Sequence, residues 1–197
     1  RAATLYPRIF VGHGHRVSLA VVEASAFTEA TASAIVRDTI FFDQQGCLSP
    51  HVIYLVGDTD ECVAFGATIA DAMTQAEVEF PRRDIEPGAA VAIQRARGSH
   101  ELKRAMQSEV QLWSSEGSTA WTLLYDEEPR FEMSCLNRTL RLKRLRSIDQ
   151  LPHALEEVVG HLQGVAVAPK ERIADVGSLL SRSSVSRVCS PGELQRP

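Results

Sequence analysis

Residues 52–56 read Val52-Ile53-Tyr54-Leu55-Val56, five consecutive apolar side chains with no polar interruption. A run of this length predicts a strand buried on both faces, typical of a parallel or mixed sheet covered by helices. Upstream, residues 25–42 carry alanine and aliphatic side chains at helical spacing, and residues 43–50 form a loop with one glycine and one proline. Residues 16–22 are β-branched and apolar and predict a further strand. The order is therefore strand, helix, loop, strand.

The same alternation continues through the rest of the chain. Further helices are predicted over residues 60–76, 88–115, 148–162 and 170–181. Further strands are predicted over residues 120–125, 139–146, 165–168 and 185–188. In residues 139–146, leucines alternate with basic side chains, which favours a protected edge strand with one wet face over a phosphate-binding surface. The sequence therefore predicts a single α/β domain with a mostly parallel sheet flanked by helices.

The composition is that of a globular protein. Apolar residues make up 44% of the 197 residues and charged residues 23%, which excludes a disordered chain. A balance of 21 basic against 25 acidic residues gives a net charge of −4, so we expect no nucleic-acid partner. No apolar run approaches the ~18 residues of a membrane span. The four cysteines have neither CxxC nor zinc-finger spacing, so we expect free thiols in the cytoplasm and no metal site.

Cys47 is the candidate nucleophile because it lies in the loop between a predicted helix and the buried strand. The preceding Gly46 lets a substrate carbonyl approach the backbone closely, and the Cys47 amide can donate to an oxyanion. The alternative is that Cys47 is a small buried apolar residue, as most free cysteines are. Cys62, Cys135 and Cys189 lie in a helix start, a polar loop and a strand end, and are interpreted as structural.

The positions of the histidines neither support nor exclude a Cys–His hydrolase. His51 is four residues from Cys47, and His13 and His15 lie in a turn before the first strand. A base must come within hydrogen-bond reach of the thiol, and the spacing alone does not establish this. The remaining three histidines are predicted on helix surfaces: His100, His153 and His161. A glycine-rich phosphate loop is absent, since Gly12-His13-Gly14-His15 precedes a strand and does not follow one.

Residues 42–51, Phe-Asp-Gln-Gln-Gly-Cys-Leu-Ser-Pro-His, resemble a segment of the LuxC-type acyl-CoA reductases, the fatty-acid reductase subunits of bacterial luminescence and their non-luminous relatives. In that family the nucleophile lies in an Asp-Gln-Gln-x-Cys-Leu-Ser-Pro segment, and its cysteine corresponds to Cys47. Residues 185–197 resemble a second family segment, Arg-hydrophobe-Cys-Pro-x-Gly-x-Met-Gln-x-Pro. This chain departs from it by inserting Ser190 before Pro191 and by carrying Leu194 in place of methionine.

The resemblance implies an aldehyde dehydrogenase-like catalytic domain. Residues 1–197 would form this domain within a longer chain, most of whose NADPH-binding domain lies outside the sequence. Cys47 would attack an acyl thioester such as acyl-CoA, and Gln44, Gln45 and Gly46 would support its loop. Hydride from NADPH would then convert the acyl-cysteine to a fatty aldehyde.

The resemblance also implies acyl-protein synthetase and acyl-transferase subunits as partners, an acyl carrier as a second thioester donor, and an oligomer. It assigns no cofactor contact in this chain. Aldehyde-oxidising relatives use one glutamate to activate water and another to hold the nicotinamide ribose, and the corresponding stretches here, residues 12–15 and 134–137, carry no acid. Two other functions remain open: a catalytically silent interaction module of the same fold, and a cysteine-dependent acyl hydrolase or transferase.

Overall fold

One sheet of seven strands organises the computed structural model, which describes residues 16–107 and 109–196. The strands are β1 (Val17–Glu23), β2 (Pro50–Val56), β3 (Gln111–Ser114), β4 (Thr122–Asp126), β5 (Thr139–Leu145), β6 (Leu162–Ala168) and β7 (Arg187–Cys189). They lie in the order β3-β4-β5-β2-β1-β6-β7. Every neighbouring pair is parallel except β3 and β4. The predicted α/β class with a mostly parallel sheet is confirmed.

Helices cover both faces of the sheet. They are α1 (Glu29–Ile40), α2 (Thr59–Glu79), α3 (Pro87–Met106), α4 (Leu151–Ala154) and α5 (Ile173–Leu179). Successive residues of a strand point to opposite faces, so Ile53 and Leu55 of β2 pack with α1 and α2. Val52 and Tyr54 pack with α4 and α5 on the other face. Both faces of β2 are therefore buried, as its uninterrupted apolar run predicts.

The longest helix, α2, begins at a complete capping box. The Asp58 carboxylate accepts a hydrogen bond from the Glu61 amide at 2.8 Å, and the Glu61 carboxylate accepts one from the Asp58 amide at 3.1 Å. These two bonds satisfy amides that the first helical turn leaves unpaired. Of the helices in the described ranges, none is both long enough and apolar enough to cross a membrane.

Three sequence predictions about these elements are wrong. The helix predicted over residues 88–115 ends at Met106, and β3 follows because its residues pair with β4 across a hairpin. The continuous helix predicted over residues 148–162 is a series of short helical turns around α4. Pro152 lies in the first turn of α4 and has no amide to continue the preceding turn.

The third wrong prediction concerns β5, which lies between β4 and β2 and is not an edge strand. Its basic side chains are paired with acids rather than facing water. Lys143 is 1% exposed and its ammonium lies 2.8 Å from Asp126, and Arg141 pairs with Glu132 at 2.6 Å. A buried lysine is tolerable because it is paired.

Candidate active site

Cys47 is exposed and lies in a tight turn immediately before β2. The turn is closed by a hydrogen bond from the Ser49 amide to the Gly46 carbonyl at 2.9 Å. The Ser18 hydroxyl of β1 donates to the Cys47 carbonyl at 2.9 Å and accepts from the Gly164 amide of β6 at 3.0 Å. The turn is therefore attached to two neighbouring strands. Cys47 is not a buried small apolar residue.

The turn follows three residues in the left-handed backbone region. Phe42, Asp43 and Gln44 have φ of 55°, 50° and 65°. A left-handed conformation costs a non-glycine residue about 1–2 kcal/mol. Such conformations persist only where the surroundings fix them, and they cluster at functional sites.

Gln44 supplies much of that fixation. Its side chain is fully buried, and its amide nitrogen donates to the carbonyls of Pro50 and Thr139, each at 2.8 Å. Its side-chain oxygen accepts from the Thr139 amide, also at 2.8 Å. Gln44 therefore ties the start of the Cys47 loop to the start of β2 and to β5.

A second left-handed turn faces the first one. Leu136, Asn137 and Arg138 have φ of 64°, 55° and 62°. The Arg138 guanidinium donates to Asp43 at 2.9 Å through Nε, and the Asn137 side-chain oxygen accepts from Gln45 at 3.2 Å. The two turns thus hold each other in place across the sheet edge.

Arg138 also reaches α2. Its Nη1 donates to Glu77 and to the Phe80 carbonyl, each at 2.8 Å, and its side chain is 4% exposed. Sequence reasoning did not single out Arg138. The only sequence signal for its turn is Asn137, a residue type that tolerates the left-handed region; leucine and arginine give none.

The carboxyl-terminal segment contacts both α1 and the Cys47 loop. The Asp38 carboxylate, 1% exposed, accepts from the Gly192 amide at 2.7 Å. The Gln195 side chain donates to the Ser49 hydroxyl at 3.0 Å. Burial raises the pKa of Asp38 to about 6, an effect that hydrogen bonds from the backbone of Gly192, Leu194 and Gln195 oppose. The two segments that carry the family resemblance are therefore in direct contact.

The model of the acyl-CoA reductase family LuxC matches residues 3–197. The chain belongs to the LuxC family. It is 23% identical over 181 residues to long-chain acyl-protein thioester reductase 2 of Photobacterium leiognathi and 22% identical to the long-chain acyl-protein thioester reductase of Aliivibrio fischeri. Each match covers 91% of this chain and 35% of the relative. The chain thus spans about a third of the length of these curated relatives.

Solved structures confirm the predicted aldehyde dehydrogenase-like fold of this LuxC family member. The NADP-dependent glyceraldehyde-3-phosphate dehydrogenase of Bacillus halodurans superposes with a TM-score of 0.65 at 18% identity, covering 88% of this chain and 38% of that one. The NAD-dependent benzaldehyde dehydrogenase of Corynebacterium glutamicum gives 0.61 at 13% identity, covering 89% and 39%. At these identities the likeness establishes the fold alone.

The histidines of this LuxC chain do not form a Cys–His pair in its described part. His51 is 6% exposed, its Nδ1 has no hydrogen-bond partner among residues 16–107 and 109–196, and burial lowers its pKa to about 4. The His51 imidazole is therefore neutral near pH 7. His13 and His15 lie outside the described residues.

The prediction that His100 lies on the surface is wrong. Its side chain is 2% exposed because α3 packs against the β3–β4 hairpin. Its Nε2 lies 2.9 Å from the Tyr125 carbonyl and 3.1 Å from the Gln111 carbonyl. His153 and His161 are exposed.

The other cysteines differ from Cys47 in their surroundings. Cys62 is buried, its thiol lies 3.8 Å from the Leu55 carbonyl, and burial raises its pKa to about 12. Burial also raises the pKa of Cys189. Cys135 is partly exposed.

An open cavity of about 920 Å³ lies beside the Cys47 loop. Gln45 and Gly46 of the loop contribute to its wall. Three phenylalanines in the wall are unusually exposed: Phe41 at 50%, Phe42 at 70% and Phe80 at 59%. Exposed large apolar side chains grouped in a cavity wall are typical of surfaces that bind apolar groups, although charged side chains such as Arg37, Asp43 and Arg83 line this wall too.

Proposed function

We infer that residues 1–197 form the cysteine-bearing catalytic domain of a reductase that converts a long-chain acyl thioester to a fatty aldehyde. The observation that carries this inference is the position of Cys47. It is the exposed thiol on a turn that Gln44, Ser18 and the carboxyl-terminal segment all hold. A nucleophile needs this combination of access and fixed position.

The first chemical step is acyl transfer to Cys47. Its thiolate attacks the thioester carbonyl carbon, and the carbonyl electron pair moves to oxygen. When that pair returns, the carbon–sulfur bond to the carrier breaks, and the carrier leaves as a thiolate. The Cys47 amide takes part in no hydrogen bond with another described residue, so it can donate to the developing oxyanion.

The apolar cavity beside the loop supplies a place for the acyl chain. Phe41, Phe42 and Phe80 line it next to Gly46, so a chain lying there would leave its carbonyl close to the Cys47 turn. Burying methylene groups contributes about 0.8 kcal/mol each. This favours long acyl chains over short ones.

The described residues carry no glycine-rich turn for the pyrophosphate of a dinucleotide. The segments that follow β1 and β2 carry no G-x-G-x-x-G turn, and Asn137 and Arg138 are turned toward the Cys47 loop. We therefore place the pyrophosphate-binding turn for NADPH in a part of the protein outside these residues. When bound, NADPH supplies the hydride that reduces the acyl-cysteine. Collapse of the product then releases the aldehyde and the Cys47 thiolate.

The names of the relatives support a protein-linked thioester as one acyl donor, and the description of the family supports acyl-CoA as the other. Acyl-protein synthetase and acyl-transferase subunits are the proposed partners. All four cysteines are free, which supports a reducing compartment, the cytoplasm. No hydrogen bond joins the buried His51 to the exposed Cys47 thiol in the described part of the chain, which counts against a Cys–His hydrolase built on this histidine.

The test is aldehyde formation by the intact protein with a long-chain acyl-CoA and NADPH, followed by mass spectrometry of the product. We expect aldehyde from the wild type and from a Cys135→Ser control, and none from Cys47→Ser. Fatty acid released without NADPH would indicate a hydrolase. Aldehyde formation by Cys47→Ser at the wild-type rate would refute the proposed role of Cys47.

A further inference from the structure

A second cavity, of about 860 Å³, lies next to the apolar one. The two share the wall formed by Arg83, Asp84 and Ile85, in the connector between α2 and α3. The second cavity is polar, and its lining includes three arginines: Arg82, Arg83 and Arg97. Arg83 is exposed, whereas Arg82 is half-buried and Arg97 is buried. Neither Arg82 nor Arg97 takes part in the chemistry described above.

Arg97 is a buried cation held by neutral groups. It is 9% exposed, and its guanidinium donates to the Thr122 hydroxyl at 2.9 Å, the Ser118 carbonyl at 2.8 Å and the Trp121 carbonyl at 2.9 Å. No carboxylate in the described part of the chain forms an ion pair with it. A buried charge without a counter-charge is costly.

Arg82 contacts the same segment before β4 that holds Arg97. Its Nη2 donates to the Thr119 hydroxyl at 3.0 Å, one residue from the Arg97 contact at Ser118. Its Nε and Nη1 are buried and have no acceptor among residues 16–107 and 109–196. Buried arginine nitrogens normally have partners, so Arg82 has hydrogen-bonding capacity that the described residues do not fill.

The acids near the pair attract it but form no ion pair with either arginine among the described residues. Glu101 acts on Arg97 in this way, and Asp43 acts on Arg82 while it is bonded to Arg138. Glu77 is bonded to Arg138 and to the Arg82 backbone amide, and Asp84 lies in the cavity wall without an ion pair to Arg82 or Arg97. Burial lowers the pKa of both arginines, and their mutual repulsion adds to this for Arg97. An anion between them would relieve both costs.

The cavity lies on the same edge of the sheet as Cys47. Ser118 and Thr119 precede β4, Arg138 precedes β5, and the Cys47 loop precedes β2. These three parallel strands are neighbours in the order β4-β5-β2. Two strand spacings separate β4 from β2, a distance of about 10 Å. A ligand whose reactive end reaches Cys47 can therefore place another group near the arginines.

We propose that Arg82 and Arg97 bind a phosphate group of a ligand that reacts at Cys47. The choice of ligand rests on the proposed function; the anion site itself does not. The planar guanidinium presents paired N–H donors that match phosphate oxygens. The Thr119 hydroxyl, which accepts from Arg82, adds a donor. Two ligands of the reaction carry phosphate: the coenzyme A part of the thioester, and NADPH.

The test is calorimetric titration of the intact protein with coenzyme A, NADPH and inorganic phosphate in turn. We expect Arg82→Gln to weaken binding of phosphate and of one larger ligand about tenfold, the loss expected for a charge-assisted hydrogen bond. The ligand affected identifies the source of the phosphate. The matched control is Arg95→Gln, an exposed arginine of α3 outside the cavity wall, which should bind as the wild type does.

Arg97→Gln is a second variant, interpreted only if its thermal unfolding remains cooperative, because Arg97 also holds the hairpin. Equal dissociation constants for the wild type and Arg82→Gln with all three probes would overturn the proposal. So would a wild type that binds none of them. Cys47→Ser should bind phosphate as the wild type does. Phosphate binding therefore tests the anion site even if the protein does not catalyse the proposed reduction.

Discussion

The side chain of Gln44 and the backbone of Thr139 form a reciprocal pair of hydrogen bonds, each of 2.8 Å. Gln44 lies just before Cys47, and Thr139 is the first residue of β5. The pair joins segments 95 residues apart. Together with the bond to the Pro50 carbonyl, it gives both amide hydrogens and the side-chain oxygen of the buried Gln44 a partner. The position of the Cys47 loop therefore depends on a contact that no local sequence signal contains.

Removing this pair should loosen the loop. Gln44→Leu removes three hydrogen bonds of a buried side chain. The Thr139 amide keeps a bond of 3.2 Å to the Leu136 carbonyl, and the Thr139 carbonyl keeps the Ser134 hydroxyl. At about 0.5–1.5 kcal/mol for each lost bond, we expect a loss of about 2–4 kcal/mol in the free energy of unfolding, measured by denaturant unfolding. Gln45→Leu, which removes a single 3.2 Å bond of an exposed side chain, should lower the free energy of unfolding by less than about 1 kcal/mol.

Arg138 should couple energetically to Asp43. Arg138→Met leaves Asp43 and Glu77 without their shared cation. Because the two carboxylates are partly exposed, we expect a loss in the free energy of unfolding below the about 3–5 kcal/mol of a fully buried pair. A double-mutant cycle with Asp43→Asn isolates the pair. Additive effects of the two substitutions would show that the facing turns do not support each other.

Asp38 should make stability depend on pH. Its pKa rises from 3.8 unfolded to about 6 in the folded protein, so between these values the folded state binds more protons. Stability therefore falls as pH rises from about 4 to about 6, by at most about 3 kcal/mol. Asp38→Asn keeps an acceptor for the Gly192 amide and cannot ionise. Urea unfolding should find Asp38→Asn more stable than the wild type at pH 7, with the gain shrinking toward pH 4. An equal difference at both pH values would contradict the assignment.

Gly164 should not tolerate a side chain. A Cβ there would lie 2.9 Å from Leu194, 3.0 Å from Leu48 and 3.0 Å from the Ser18 hydroxyl, so Gly164→Ala must displace groups that hold the Cys47 turn. Overpacking of this kind costs about 1–3 kcal/mol. Gly160→Ala is the matched control, because nothing lies within 4 Å of its Cβ position. Equal melting temperatures of the two variants would refute the close packing.

The fold class follows from local patterns, and the site follows from them only in part. The uninterrupted apolar run at residues 52–56 is enough to predict a buried parallel strand, and the Cys47 loop follows from its place before that strand. The prediction for β5 failed because the alternation of Leu and basic residues does not reveal that Asp126, on another strand, pairs with Lys143. Pairing with an acid on a neighbouring strand allows a basic side chain of β5 to be buried, although the alternating pattern favours an edge strand.

The resemblance implies that Gln44 and Gln45 support the loop, but the sequence gives no signal for the partners that lie far along the chain. Arg138 lies in a left-handed turn that its residue type does not favour, and Asp38 is one polar residue within an amphipathic helix. Their roles depend on which segments the sheet brings together. Such long-range contacts cannot be read from spacing along the chain.

The most direct test of the role of Cys47 is to map the acylated residue. The intact protein is incubated with a long-chain acyl-CoA without NADPH, quenched in acid, digested and analysed by peptide mass spectrometry. We predict the mass of one acyl group on the peptide that contains Cys47, and an unmodified peptide in Cys47→Ser. Acyl mass on Cys135 or Cys189 with none on Cys47 would contradict the proposed nucleophile.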